Sequence, residues 1–243
     1  MTPLILTDAT EAAAAVADRI VSLVQSKPDA VLGLATGATM EPVYAAVIAA
    51  HRAGRVSFSR VSSFNLDEYV ALPTEHPGSY RSTMNRLLFE HIDIDPARTH
   101  VPDGMANDTD AAAEAYERQI LQAGGIDLQL LGIGRNGHIG FNEPGSRLDS
   151  RTRRVELHAE TLTANRAFFE DGGVPQQAIT MGIATILSAR SIIVLATGAA
   201  KKAAINQALA GFFTPACPAS ALVGHPDVTW IVDPAAAPDA EAA

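Results

Sequence analysis

Residues 127–146 read DLQLLGIGRNGHIGFNEPGS. The run from Leu128 to Ile133 is apolar, short and bounded by glycine, which is the length and composition of a strand buried on both faces. Its C-terminal end delivers a loop that gathers Asn136, His138, Asn142 and Glu143. Gly134, Gly137 and Gly140 let that loop turn tightly and approach a ligand closely. In open α/β sheets ligands sit at such strand ends, so the loop is read as an active site. A single polar loop residue needs no special role, but four crowded at one strand end favour chemistry. Gly132, Gly134 and Gly137 also spell G-x-G-x-x-G, yet the dinucleotide fingerprint requires a helix directly after its third glycine, and Pro144 with further glycine follows instead.

Outward from this stretch the chain alternates strand and helix. Toward the N-terminus, residues 4–6, 31–35 and 60–66 read as strands, and 9–26, 41–53, 78–92 and 108–123 read as helices from their apolar spacing and end signals. Toward the C-terminus the pattern predicts strands at 152–157, 191–196 and 228–232, and helices at 161–169, 178–189 and 199–210. Such repeating units imply an open, mainly parallel, Rossmann-like sheet with helices on both faces. The expected organisation is one α/β domain over 1–234 with a small lid at about 151–182, then an acidic Ala/Pro tail at 235–243 that is disordered. No internal repeat and no interdomain linker is read.

Three further strand ends attract attention. Thr36-Gly37-Ala38-Thr39 separates a strand from a helix, so its backbone N–H groups and hydroxyls form a phosphate cradle at the positive end of a helix, or Thr36 or Thr39 simply caps that helix. Lys201 falls in the first turn of the helix at 199–210, where a cation is unfavourable unless an anion joins it. Asp67 also stands at a strand's carboxyl end, where in isolation it reads as a cap or turn residue. Arg151, Arg153, Arg154 and Arg166 read by default as a solvated face.

Composition narrows the partners. The 243 residues carry a net charge of -9, which leaves no electrostatic footprint for nucleic acid, so an anionic ligand must be met by a local cationic pocket. One cysteine, Cys217, excludes an internal disulfide and reads as a small buried hydrophobe. No leader pattern and no long apolar run is present, so a cytoplasmic protein without membrane contact is expected. No convincing His/Cys ligand set for a metal is found, and no cofactor is expected.

Taken whole, LLGIGRNGHIGFNEPGS resembles the glucosamine-6-phosphate deaminase (isomerase) family, whose pattern is G-x-G-x-[ND]-G-H-I-[AG]-F-N-E-P. The related 6-phosphogluconolactonases share the glycine-rich G-H core but not the F-N-E-P. The segments T-G-A-T at 36–39, F-N-L-D-E-Y at 64–69 and A-I-T-M-G-I-A-T-I-L at 178–187 are similar to further family motifs, so the resemblance spans nearly the whole chain. It implies conversion of glucosamine 6-phosphate and water to fructose 6-phosphate and ammonia. Galactosamine 6-phosphate is the alternative aminosugar, and 6-phosphogluconolactone hydrolysis the more distant one. A sugar-phosphate sensor of the same fold would carry a DNA-binding segment and could dispense with Asp67. By the resemblance Asp67 is the base that carries the C2 proton to C1, and His138 opens the pyranose ring with Asn136 and Glu143 orienting it. Thr36, Gly37, Ala38, Thr39 and Lys201 would bind the phosphate.

The chain departs from the family pattern in three places. Asn136 stands where some members have aspartate. The lid arginine that precedes a Phe-Phe pair is replaced by Ala167, with Arg166 one step earlier as the candidate phosphate contact. The effector site of hexameric members joins hydroxyls after F-N-E-P to an R-x-K-T segment and a C-terminal tyrosine. Here Ser146 and Arg153 are kept, but Arg147, Val155 and Glu156 replace the other groups and the tail has no tyrosine. Loss of allosteric activation, and a monomer or small homo-oligomer, are therefore expected.

Overall fold

Leu128 to Leu131 form strand β6, and each residue of it is buried, as an apolar run between two layers must be. A computed structural model of the protein describes residues 2–158, 161–163, 169 and 173–239. Among these residues, β6 is the centre of a seven-stranded sheet in which every pairing is parallel. Its strands are β1 (Leu4–Ile5), β2 (Val31–Leu34), β3 (Ser62–Asn65), β5 (Thr99–His100), β6, β9 (Ser191–Ala196) and β10 (Val228–Val232), in the order β1-β10-β9-β6-β2-β3-β5. From β2 the chain moves to β3 on one side, and from β6 it moves to β9 on the other. The crevice between the carboxyl ends of β2 and β6 is therefore a topological switch point, where loops diverge and leave room for a ligand.

Alternation along β3 assigns the helices to both faces. Ser63 shares a wall with Ile20 of α1 (Ala9–Ser26) and with Tyr44 and Val47 of α2 (Glu41–Arg52), whereas Phe64 meets Tyr116 of α4 (Thr109–Gln122) edge-on at 5.6 Å. The predicted helix at 78–92 is shorter, α3 spanning Tyr80–Leu87 before a single tight turn at Phe89–His91.

A second sheet was not legible in the sequence. β4 (Asp67–Tyr69), β8 (Gln177–Thr180) and β7 (Arg153–Glu156) pair antiparallel in the order β4-β8-β7. This corrects the helix expected over 178–189. Its first residues are the central strand of the small sheet, and only Ile183–Leu187 is helical. Gly182 separates the two because a Cβ there would lie 2.1 Å from the carbonyl oxygen of Ser150. Beneath the small sheet lies a separate apolar cluster that includes Tyr69, Leu72, Phe141, Leu157, Phe169, Val174 and Ala178. Most of the helix expected at 161–169 lies outside the described residues.

Two other readings are revised. Leu34–Ala38 and Leu195–Ala199 carry the same five residues, Leu-Ala-Thr-Gly-Ala, at the ends of β2 and β9, so a short local repeat exists where none was read. The terminal segment expected to be disordered stays on the fold as far as it is described: Ala236 is fully buried, and Asp239 pairs with Lys202 at 2.7 Å and accepts from Asn206 at 2.7 Å. Residues 240–243 lie outside the described residues. No described helix is long and apolar enough to cross a membrane.

Candidate active site

Three loops meet over the switch point. The turn after β2 supplies Thr36, Gly37, Ala38 and Thr39, the loop after β6 supplies Asn136 and His138, and the turn after β9 supplies Lys201. With Asp67 at the start of β4, these residues line one cavity of about 1140 Å³. Glu143 stands behind His138 rather than in the cavity wall, and Arg166 lies outside the described residues.

The turn after β2 is built for an anion. Gly37 adopts φ 128°, a conformation that favours glycine, and the next residues enter a tight turn that leads into α2. The matching turn after β9 shows what such a backbone attracts: Gly198, at φ 87°, donates its N–H to both carboxylate oxygens of Asp233 at 3.0 Å. Lys201 donates to the carbonyl oxygen of Ile133 at 2.7 Å, and burial together with the neighbouring Arg135 pulls its pKa down. A phosphate placed between these groups would relieve that crowding of like charge.

In the loop after β6, Gly134 makes room for the catalytic candidate. A Cβ there would lie 2.3 Å from the ring of His138. Asn136 links the loop internally, accepting from the His138 backbone at 3.2 Å through Oδ1 and donating from Nδ2 to Glu143 Oε2 at 2.8 Å. Thr161 donates its hydroxyl to Glu143 Oε1 at 2.6 Å. His138 Nδ1 stands 3.4 Å from Glu143 Oε2, close enough for charge attraction but long for a hydrogen bond. Burial pushes the Glu143 carboxyl upward, but His138, Thr161 and Asn136 together prevail and hold it down at about 2. Glu143 is thus a fixed negative charge behind the imidazole.

Asp67 and Glu68 divide two tasks by strand alternation. Asp67 faces the cavity, where burial, with Glu68 beside it, pushes its carboxyl up from 3.8 to about 8. Glu68 points away and accepts the backbone N–H groups of Tyr69, Tyr80 and Arg81 at 2.8, 3.0 and 2.8 Å, holding the start of α3. Burial raises the Glu68 pKa as well, against the pull of those three donors. A sheltered carboxyl poised near neutrality can take a proton from carbon and return it.

The sequence missed other cavity residues. Arg135 lines the cavity beside Lys201, and the only sequence signal for it was its place inside the glycine-rich motif. Tyr80 falls inside the helix expected at 78–92, yet it lines the cavity and its hydroxyl, bonded to Thr36, lies 3.3 Å from that of Tyr69. Thr161 and Thr163 complete the wall on the side of the small sheet. A second cavity of about 590 Å³ shares Phe141 and adds Glu143, Ser146, Arg147, Arg153, Val155 and Glu156. Arg147 there is paired with Asp149 at 2.7 Å. Among the described residues no group of three or more His, Cys, Asp or Glu is arranged to hold a metal ion.

Comparison with known proteins places this geometry. The family model for glucosamine-6-phosphate isomerases/6-phosphogluconolactonase matches residues 7–230. The chain is 54% identical to a glucosamine-6-phosphate deaminase of Shewanella loihica over 96% of its own length and 87% of the relative's, and 53% identical to one of Cellvibrio japonicus over 98% and 90%. Among solved structures, a monomeric glucosamine-6-phosphate deaminase superimposes with a TM-score of 0.94 at 43% identity, covering 97% of this chain and 98% of that one. A 6-phosphogluconolactonase of Trypanosoma brucei shares the fold, with a TM-score of 0.77 at 22% identity over 97% of both chains.

Proposed function

We propose, because the chain belongs to the glucosamine-6-phosphate isomerase/6-phosphogluconolactonase family, that it is a glucosamine-6-phosphate deaminase, converting that sugar phosphate and water to fructose 6-phosphate and ammonia. The observation that carries the reading is the meeting of Asp67, the Asn136–His138–Glu143 relay, the Thr36–Thr39 turn and Lys201 around one cavity. The turn and Lys201 hold the phosphate, with Arg135 as a further cation at the same end. His138 takes the proton from the O1 hydroxyl and delivers it to O5 as the C1–O5 bond opens, while Glu143 stabilises the transient imidazolium. Asp67 then removes the C2 proton from the open-chain aldehyde, the substrate's ammonium group gives a proton to O1, and Asp67 returns its proton to C1, leaving a protonated imine at C2. Water adds to that carbon and ammonia leaves, so the nitrogen departs and C2 becomes the ketone.

The segment at about 151–182 acts as the lid, with Phe169 anchored against Tyr69 and stacked on His76 at 5.6 Å. Arg166 in that lid is the remaining candidate for the phosphate. A monomer or small homo-oligomer agrees with the monomeric relative, and a phosphorylated metabolite that membranes retain suits a cytoplasmic enzyme. The test is release of ammonia and ketose from glucosamine 6-phosphate, galactosamine 6-phosphate and 6-phosphogluconolactone in parallel. Ammonia from the first at a rate well above the second is expected; acid release from the lactone with no ammonia from either aminosugar would overturn the assignment.

A further inference from the structure

The small sheet carries one cross-strand row of which the catalytic assignments use only Asp67. Asp67 on β4 stands opposite Thr180 on β8, and Thr180 stands opposite Arg153 on β7. Residues directly opposite in an antiparallel pair project from the same face. Here that face meets the catalytic loop. Thr180 Oγ1 accepts the backbone N–H of Phe141 at 3.1 Å, and Arg153 Nη1 donates to Asn142 Oδ1 at 2.9 Å. A Cβ on Gly140, at φ 56°, would lie 3.0 Å from Thr180 Oγ1 and 3.4 Å from Asp67 Oδ2, so the loop passes directly over the row.

Both contacts are internal and specific. Thr180 and Asn142 are completely buried. Asn142 also donates from Nδ2 to the carbonyl oxygens of Ile139 and Met181 at 2.9 and 2.8 Å, and Arg153 reaches Ser146 at 3.4 Å. The loop that carries His138 and Glu143 is thereby fastened to the strands beside Asp67, across a long stretch of intervening chain. A hydroxyl that keeps a neighbouring N–H satisfied is replaceable by a methyl only at the cost of leaving that N–H unpaired.

We propose that Thr180 and Arg153 are positioning residues that fix the spacing between Asp67 and the His138–Glu143 pair. The inference rests on the deaminase reading, in which one bound sugar must present O1 and O5 to His138 and C1 and C2 to Asp67 without moving between sites. Neither residue lines the cavity around Asp67 and His138. They set the reach of the two groups that do, and small errors in that reach weaken proton transfer far more than binding.

The experiment compares Thr180→Val, which keeps the shape and removes the acceptor, with Thr180→Ser, which restores it, measuring ammonia release and melting temperature. Thr180→Val is expected to lower kcat about 10- to 100-fold with KM held within about 3-fold, and Thr180→Ser to recover wild-type kcat within about 3-fold. Arg153→Gln leaves the buried face of β8 untouched and decides the matter where Thr180→Val fails to fold, with about a 10-fold loss in kcat at unchanged KM expected. A folded Thr180→Val or Arg153→Gln that loses melting temperature but keeps kcat overturns the proposal. A wild type that releases no ammonia overturns the deaminase reading and this proposal together, whereas an active wild type matched by its variants overturns this proposal alone.

Discussion

Two carboxylates stand at this site, and their surroundings drive their pKa values apart. Asp67, on the small sheet, is buried next to another acid and its carboxyl rises to about 8. Glu143, on the loop after β6, is almost as buried, at 8% exposed against 6%, yet the nearby His138 and the donors of Thr161 and Asn136 hold it at about 2. Burial alone therefore does not decide a carboxyl's state; the donors that accompany it do. One environment yields a carboxyl that can exchange a proton near neutral pH, and the other yields a permanent charge beside His138.

Removing each group tests the division. Asp67→Asn should preserve folding and sugar-phosphate binding but cut exchange of the C2 proton by about 10³-fold, since an amide cannot accept it. In the wild type the same exchange should weaken as the pH falls through about 8, where Asp67 takes up its proton. Near-normal exchange by the folded variant would show that Asp67 is not the base. Glu143→Gln should cost less, about 10²-fold in kcat, and should hurt the cyclic substrate far more than an open-chain analogue. Equal losses on both would remove Glu143 from ring opening.

Stability should respond with opposite signs. Asp67 has a folded pKa raised above its unfolded value, so the native state binds the extra proton and wild-type stability falls as pH rises from about 4 to about 8. Asp67→Asn is then expected to be more stable than wild type above pH 8, on the order of 2–5 kcal/mol by denaturant unfolding, with the gain vanishing near pH 4. Glu143 has a depressed folded pKa, so its contribution is present above its unfolded value and lost as pH falls toward about 2. Glu143→Gln should destabilise at neutral pH by about 1–3 kcal/mol and approach wild type in acid. Two variants shifting in the same direction would break the comparison.

The smallest expected effect is none. Glu143 also borders the second cavity, where an anionic ligand could disturb it. Arg147 there is paired with Asp149 and Glu156 adds a negative charge, so Arg153, hydrogen-bonded to the neutral Asn142, faces a phosphate as a single cation beside a competing carboxylate. Adding N-acetylglucosamine 6-phosphate should leave substrate saturation hyperbolic and unchanged. Activation by that compound would show that the cavity is a working effector site.

Much of this protein was legible in one dimension. The buried run of β6, the glycine-rich loop after it and the turn at Thr36–Thr39 are local features, written in contiguous apolar and glycine patterns that survive whatever the rest of the chain does. Those segments sufficed to identify the parallel sheet, while Asp67 joined the candidate site only through the family resemblance. The strand expected at 152–157 is found as Arg153–Glu156, but the sequence settled neither the other two strands of the small sheet nor their pairing. An apolar run such as that beginning at Ala178 has no periodicity to separate strand from helix, and its state is decided by partners at Asp67–Tyr69 and Arg153–Glu156. The same holds for the entry of Arg135 and Tyr80 into the cavity and for the opposite states of Asp67 and Glu143. Pairing and desolvation depend on groups remote in the chain, and only the folded arrangement brings them within reach of one another.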